Sequence, residues 1–228
     1  MTIDIQFLSY VQGAGLTTVQ AGTLVSALGL TQIQERKLLS RLARQGLIVR
    51  VRRGLYLVPR QLPLGGKWSP GEYLALKTLI EDRHGSYQIT GPNAFYRYGW
   101  NNQVPSRVYV YNDRISGDRQ IGATQLTLIK VDFARLGATD TFKTPDGIDV
   151  PISSKSRALM DAVYDWSRFN SLPIAYDWIR KELSADDSLA ANLVEVCRQF
   201  GNQSTLRRIG RILAEKQVSE NLLRKLEK

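Results

Sequence analysis

Eight side chains near the start of the sequence share one kind of chemistry. Gln34, Arg36, Lys37, Arg41 and Arg44 fall within a single short stretch, and Arg50, Arg52 and Arg53 follow soon after. A glutamine can make two hydrogen bonds to an adenine edge, and an arginine or lysine can reach both acceptors of a guanine edge. Arginines on a narrow tip can enter a minor groove or grip phosphates. Gln34 has a second use open to it, as a helix-capping residue.

Catalytic chemistry is poorly supplied. His84 and Cys197 are the chain's single histidine and single cysteine, so histidine triads, cysteine-cluster metal sites and internal disulfides have almost nothing to draw on. There is no Walker loop, no dinucleotide fingerprint and no nucleophile elbow. Asp146, Asp149 and Lys155 faintly resemble a nuclease carboxylate–lysine set, but Ser153 stands where the acid two residues before the lysine should be. Asp186-Asp187 lacks the Gly-Gly or Gly-Ser that precedes a nucleotidyltransferase acid pair and reads as a helix-start cap. The expectation is a protein that is not an enzyme, with no catalytic residues, no cofactor and no metal.

Charge points the same way. The 228 residues carry 31 Lys and Arg against 21 Asp and Glu, a net charge of +10. Residues 1–60 hold eight of the basic residues and only Asp4 and Glu35 as acids, so more than half of the surplus sits in the first quarter. A surplus of this size favours polyanions, either nucleic acid or an anionic membrane surface. No apolar run approaches the ~20 residues of a spanning helix. The start, Met1-Thr2-Ile3-Asp4, has an acid and no basic region, which argues against a signal peptide. A cytoplasmic protein with no membrane partner is expected.

The elements that would position the eight side chains can be read in order. Ile5, Leu8 and Val11 predict a first helix over 4–12. Thr17 or Thr18 would cap a second helix running to about Leu28, and Gly29 would stop it in the left-handed region. Thr31 and Gln34 match a capping box that opens a third helix, ended by Gly46. At 100° per residue Leu38, Leu39 and Leu42 point one way and Gln34, Lys37, Arg41 and Arg44 the other. Glu35 falls on the apolar side, in the first turn, where the helix dipole favours a carboxylate that reaches solvent. The runs 47–51 and 55–58 around Arg52-Arg53-Gly54 predict a β-hairpin. Helix, turn, basic helix and hairpin in this order spell a winged helix-turn-helix. The same scaffold could instead serve protein contact, with its arginines merely solvated.

Pro59, Pro63 and Gly65-Gly66 read as a linker, dividing a winged-helix domain at 1–62 from a second domain at 67–228. Ser69-Pro70-Gly71-Glu72 would cap and open a helix to about Asp82. Strands are expected at 87–90, 107–111, 125–131 and 148–152, with a short helix after Gly91-Pro92 and turns at Ser116-Gly117-Asp118 and Pro145-Asp146-Gly147. Ser153 or Ser154 would cap a helix to about Trp166, and the chain is helical from Leu172 on. The fold class is α+β: an N-terminal winged helix-turn-helix, then a mixed α/β domain ending in a helical C-terminal region.

Three other groups invite attention. Phe95-Tyr96-Arg97-Tyr98-Gly99-Trp100 could stack unpaired bases or fill the core under the second sheet. Arg207, Arg208 and Arg211 could grip phosphate, RNA or an acidic protein, or form a solvated helix face. Arg157 and Asp161, one helical turn apart, suit an internal ion pair better than a site.

The chain resembles the AbiEi antitoxin family, the DNA-binding half of a type IV toxin–antitoxin system. Four pieces carry the resemblance: Arg53-Gly54-Leu55-Tyr56-Leu57-Val58-Pro59; Ile89-Thr90-Gly91-Pro92-Asn93-Ala94 leading to Tyr98-Gly99; Thr144-Pro145-Asp146-Gly147-Ile148 followed by Arg157-Ala158-Leu159-Met160-Asp161; and Arg207-Arg208-Ile209-Gly210. The C-terminal region looks short for the family, so the resemblance bears more on DNA binding than on toxin neutralisation. It implies a repressor that binds repeated sites in the promoter of its own operon through the winged helix. It also implies antagonism of a nucleotidyltransferase toxin, usually without a stable complex, through the second domain. Two alternatives stand beside it: a transcriptional regulator whose second domain senses a ligand or dimerises, with no toxin partner, and a nucleic-acid-processing enzyme with a DNA-targeting arm. The form on DNA would be a monomer or a homodimer.

Overall fold

A computed structural model describes residues 2–61 and 66–226. Pro63 and Gly65 of the expected linker lie outside the described residues. The chain forms two compact units, Met1–His84 with Asp118–Leu126, and Gly85–Gly117 with Thr127–Lys228.

The first unit begins with helix α1 (Ile3–Gly13), strand β1 (Thr18–Gln20), and helices α2 (Thr23–Leu28) and α3 (Gln32–Arg44). Strands β2 (Val49–Arg52) and β3 (Leu55–Leu57) and helix α4 (Glu72–Glu81) follow. The order helix, strand, two helices, hairpin is that of a winged helix. The expected helix from Thr17 does not form. Thr18–Gln20 pairs antiparallel with β3 instead, Val19 opposite Tyr56, giving a sheet in the order β1-β3-β2. The β-branched Thr18 and Val19 fit a pleated surface better than a helix. The helix therefore starts only at Thr23.

The turn between α2 and α3 is made by Gly29, whose φ of 64° few other residues tolerate. Thr31 then caps α3 with the expected reciprocal pair: the Gln34 N–H donates to Thr31 Oγ1 at 3.2 Å, and the Thr31 N–H donates to Gln34 Oε1 at 2.8 Å. Leu38, Leu39 and Leu42 sink into a core with Phe7, Val11, Leu24 and Ile48. Each such side chain contributes about 1.5–3 kcal/mol by leaving water.

Glu35 does not reach solvent. It is 2% exposed. Its carboxylate accepts the backbone N–H groups of Gly22 at 2.7 Å and Leu24 at 2.9 Å. These are two of the free N–H groups at the start of α2. An acid on the apolar side of one helix is thus the cap of the helix before it.

The unit continues beyond the hairpin. The Trp68 N–H donates to the Gly46 carbonyl at 2.8 Å. Ser69 does not cap α4; Gly71 holds that position, and the Ser69 hydroxyl accepts the Ala123 N–H at 3.4 Å.

The second sheet runs through β4 (Tyr87–Ile89), β5 (Val108–Asn112), β6 (Gly117–Ile121), β7 (Thr124–Lys130), β8 (Thr139–Lys143) and β9 (Asp149–Ser153), in the order β6-β7-β5-β4-β9-β8. β4 and β9 are parallel, and β4 is antiparallel to β5. Helix α5 (Pro92–Arg97) follows β4. Helices α6 (Lys155–Tyr164), α7 (Trp166–Phe169), α8 (Ile174–Ala185), α9 (Leu189–Phe200), α10 (Gln203–Glu215) and α11 (Glu220–Leu226) close the chain. Ser154, not Ser153, caps α6 by accepting the Arg157 N–H. Phe95 is buried while Tyr96 is exposed.

Within the second unit Arg157 and Asp161 are both 0% exposed and meet at 3.0 Å. Arg157 also donates to the carbonyls of Gly137 and Arg135 at 3.1 and 2.8 Å. Thr90 and Ser153 hydroxyls donate to Asp161 Oδ2 at 3.1 and 3.2 Å. Burial pushes the Asp161 carboxyl up, against the pull of Arg157 and Arg135 beside it. The two residues form the internal ion pair that their spacing suggests, and through Thr90, just after β4, and Ser153 of β9 they also join α6 to the sheet.

Candidate nucleic-acid interface

The outward face of α3 is set by the leucines that bury the other. With Leu38, Leu39, Leu42 and Glu35 inside, the middle of the exposed side holds Ile33, Lys37, Ser40 and Arg44. At 3.6 residues per turn, Lys37, Ser40 and Arg44 all lie within about 40° of Ile33 around the axis. Arg36 flanks this strip on one shoulder, and Gln34 and Arg41 flank it on the other. Ile33 and Ser40 share this face but are not among the residues the sequence singles out. The 100° period that selected Lys37 and Arg44 also selects them; a search for charge passes them over.

The eight expected side chains divide by what they already hold. Gln34 Oε1 accepts from both the backbone N–H and the hydroxyl of Thr31, at 2.8 and 3.0 Å. Its oxygen therefore serves the cap. Arg41 turns to Asp4 and pins α1 against α3. Arg52 is held through Nε and Nη2 by both oxygens of Asp82, the residue that ends α4, and through Nη1 by the Arg53 carbonyl at 2.7 Å. Hydrogen bonding from Arg52 holds the Asp82 carboxyl below its ordinary value, and the same bonds raise Arg52.

Arg36, Lys37, Arg44, Arg50 and Arg53 are exposed and make no ion pair among the described residues. Arg36, Lys37 and Arg44 lie on α3, Arg50 on β2 and Arg53 at the hairpin tip. Gly54, with a φ of 82°, makes that tip, and the pairing of β2 with β3 shifts register between Arg50 and Arg52. The shift lets Arg50 point outward while Arg52 folds back on α4. What remains is a helix face and a strand hairpin carrying five unpaired cations, the form of surface that meets a duplex groove and its phosphates.

Residues 16–59 match the family model for transcriptional regulators of the AbiEi antitoxin type. The match begins just before β1 and ends just after β3, so it takes in both helices of the helix-turn-helix and the whole hairpin. It supports a role in transcriptional regulation. No curated protein matches the chain. Each of the eight expected side chains lies within this AbiEi-like stretch.

Other candidate chemistry is dispersed. Asp149 and Lys155 flank opposite ends of β9, and Lys155 is paired with Glu182 at 2.9 Å. Asp186 accepts the N–H and hydroxyl of Ser188, which holds the N-cap position of α9 without a side-chain capping bond, so the expected Asp186-Asp187 cap stands one step before the helix start. Among the described residues no cluster of three His, Cys, Asp or Glu could hold a metal ion, and no helix is long and apolar enough to cross a membrane. Cys197 is buried, and burial pushes its thiol up.

Proposed function

We propose that the chain is a double-stranded DNA-binding repressor and antitoxin. Its DNA-binding domain lies in residues 1–62, with α4 bracing the wing, and residues 67–228 serve antagonism or assembly. The observation that carries the DNA reading is the α3 face, with Arg36, Lys37 and Arg44 left unpaired while nearby arginines are tied to carboxylates. In this reading Lys37 and Arg44 meet the major groove, Arg36 and Arg50 hold phosphates, and Arg53 reaches phosphate or an adjacent minor groove. Gln34, Arg41 and Arg52 shape the surface from behind.

The antitoxin half rests on the AbiEi-type match at 16–59 together with the resemblance of later segments. It proposes that the protein represses its own operon from the cytoplasm and antagonises a nucleotidyltransferase toxin encoded with it. The test has two arms. Footprinting the native promoter with the full chain should protect repeated sites, and affinity should fall steeply with salt. Co-expression should restore growth to cells poisoned by the neighbouring toxin. Protection without rescue leaves a regulator that has no toxin partner; rescue without protection removes the repressor reading.

A further inference from the structure

Ile33 is 65% exposed in the first turn of α3. Single exposed apolar residues are ordinary on protein surfaces. This one stands at the middle of the strip that carries Lys37, Ser40 and Arg44, where a solvated helix would place a polar residue. Side chains on a helix lean toward its N-terminus, so Ile33 projects forward from the end of the helix that enters a major groove in helix-turn-helix docking.

Its neighbours in that turn are committed wholly or in part: Gln34 keeps only its NH2, on the shoulder of the strip. The Gln34 oxygen is taken by Thr31, and Glu35 is buried under α2. Gln32 lies a quarter-turn or more off the strip. The leading contact at this end of the helix is therefore apolar. The major-groove edges of the bases offer one apolar group, the C5-methyl of thymine. A β-branched side chain in a helix is largely held in one rotamer and loses little freedom on contact. We infer that Ile33 is a specificity-determining residue that selects thymine by packing on its methyl group. This rests on the DNA reading above and adds to it a base preference that the cations do not supply.

The test uses the full-length chain and duplexes that it enriches from a random-sequence pool. Each thymine in the enriched site is replaced in turn by deoxyuridine, which removes the methyl and nothing else. At one thymine per bound helix the wild type should lose about fourfold in affinity, the worth of one buried methyl group. Ile33→Ala should bind the thymine and deoxyuridine duplexes equally at that position, and Ile33→Val should keep part of the discrimination. The salt slope and the melting temperature should be unchanged, because the side chain is neutral and exposed. Deoxyuridine tolerance at every position in the wild type overturns the assignment, as does unchanged sensitivity in Ile33→Ala. Loss of self-association in Ile33→Ala, seen by sedimentation with base preference intact, overturns it in favour of a contact between copies. If no duplex is enriched at all, the DNA reading fails and the assignment falls with it.

Discussion

The Glu35 carboxylate accepts the Leu24 backbone N–H at 2.9 Å, and through this bond α3 fixes the helix before it. Its second oxygen takes the Gly22 N–H. The acid thus closes the start of α2 and sets the angle between the two helices from inside the core. Glu35→Ala should destabilise the first unit by about 1–3 kcal/mol, because it leaves the buried Leu24 N–H unpaired and takes the partner from the part-buried Gly22 N–H. Glu35→Gln keeps one acceptor and should cost less. Urea denaturation measures both. A cost below about 0.5 kcal/mol for Glu35→Ala would show that water replaces the carboxylate.

The Arg52–Asp82 pair gives a pH signature. Asp82 is held below its ordinary value of 3.8 by the hydrogen bonds from Arg52. A carboxyl depressed by folding contributes stability that is fully present above its unfolded value and is lost as pH falls through the folded one. The wild type should therefore lose stability on acidification through and below 3.8 more steeply than Asp82→Asn. Melting temperatures from pH 6 down to 2 should converge at the acid end. Parallel curves would mean that the pair adds nothing in solution.

The two wing arginines should separate in DNA binding. Arg53→Ala should flatten the plot of log affinity against log salt by about one unit, and Arg52→Ala should change it little while lowering stability. Equal salt effects from both would mean that Arg52 leaves Asp82 to reach the duplex.

Much of this surface was legible because its determinants are local. The Thr31–Gln34 capping box, the Leu38-Leu39-Leu42 face and the Gly54 tip are each written within a few residues, and each forms as its spacing implies. What escaped depends on partners far along the chain. β1 exists because Val19 finds Tyr56, and Glu35 is buried because Gly22 and Leu24 need an acceptor. Arg41 and Arg52 look like free cations until Asp4 and Asp82 are brought beside them. The missed strands β6 and β8 fail for a different reason. Both are sheet edges, and Gly117-Asp118-Arg119-Gln120 and Thr139-Asp140-Thr141 have the polar composition that keeps edges from pairing with other chains.

On α3 the middle strip should read sequence and the shoulder should grip. Lys37→Ala and Arg44→Ala should change which base is preferred at one position each, with a loss of about 1–3 kcal/mol on the best site and less on others. Arg36→Ala should weaken all sequences about equally and lower the salt slope. Selection from a random pool by each variant reads the difference. Uniform loss for Lys37 and Arg44 would make them phosphate contacts and leave Ile33 as the base-reading residue of the helix.

The second unit has its own buried device in Arg157 and Asp161. Arg157 satisfies one carboxylate and two carbonyls from a fully buried position, and Phe200 lies under its guanidinium at 4.2 Å. Arg157→Met should cost about 3–5 kcal/mol, since it takes from a fully buried acid its closest cation and leaves two carbonyls without a donor. Asp161→Asn should cost a comparable amount: its amide oxygen can still accept from Thr90 and Ser153 where Oδ2 stood, but its NH2 then replaces the Oδ1 that accepts from Arg157. The double variant should cost clearly less than the two singles together, because each removes what the other was paired with. Additive losses in a urea-denaturation cycle would mean that the two residues act separately and that the bond between them holds no strand to α6.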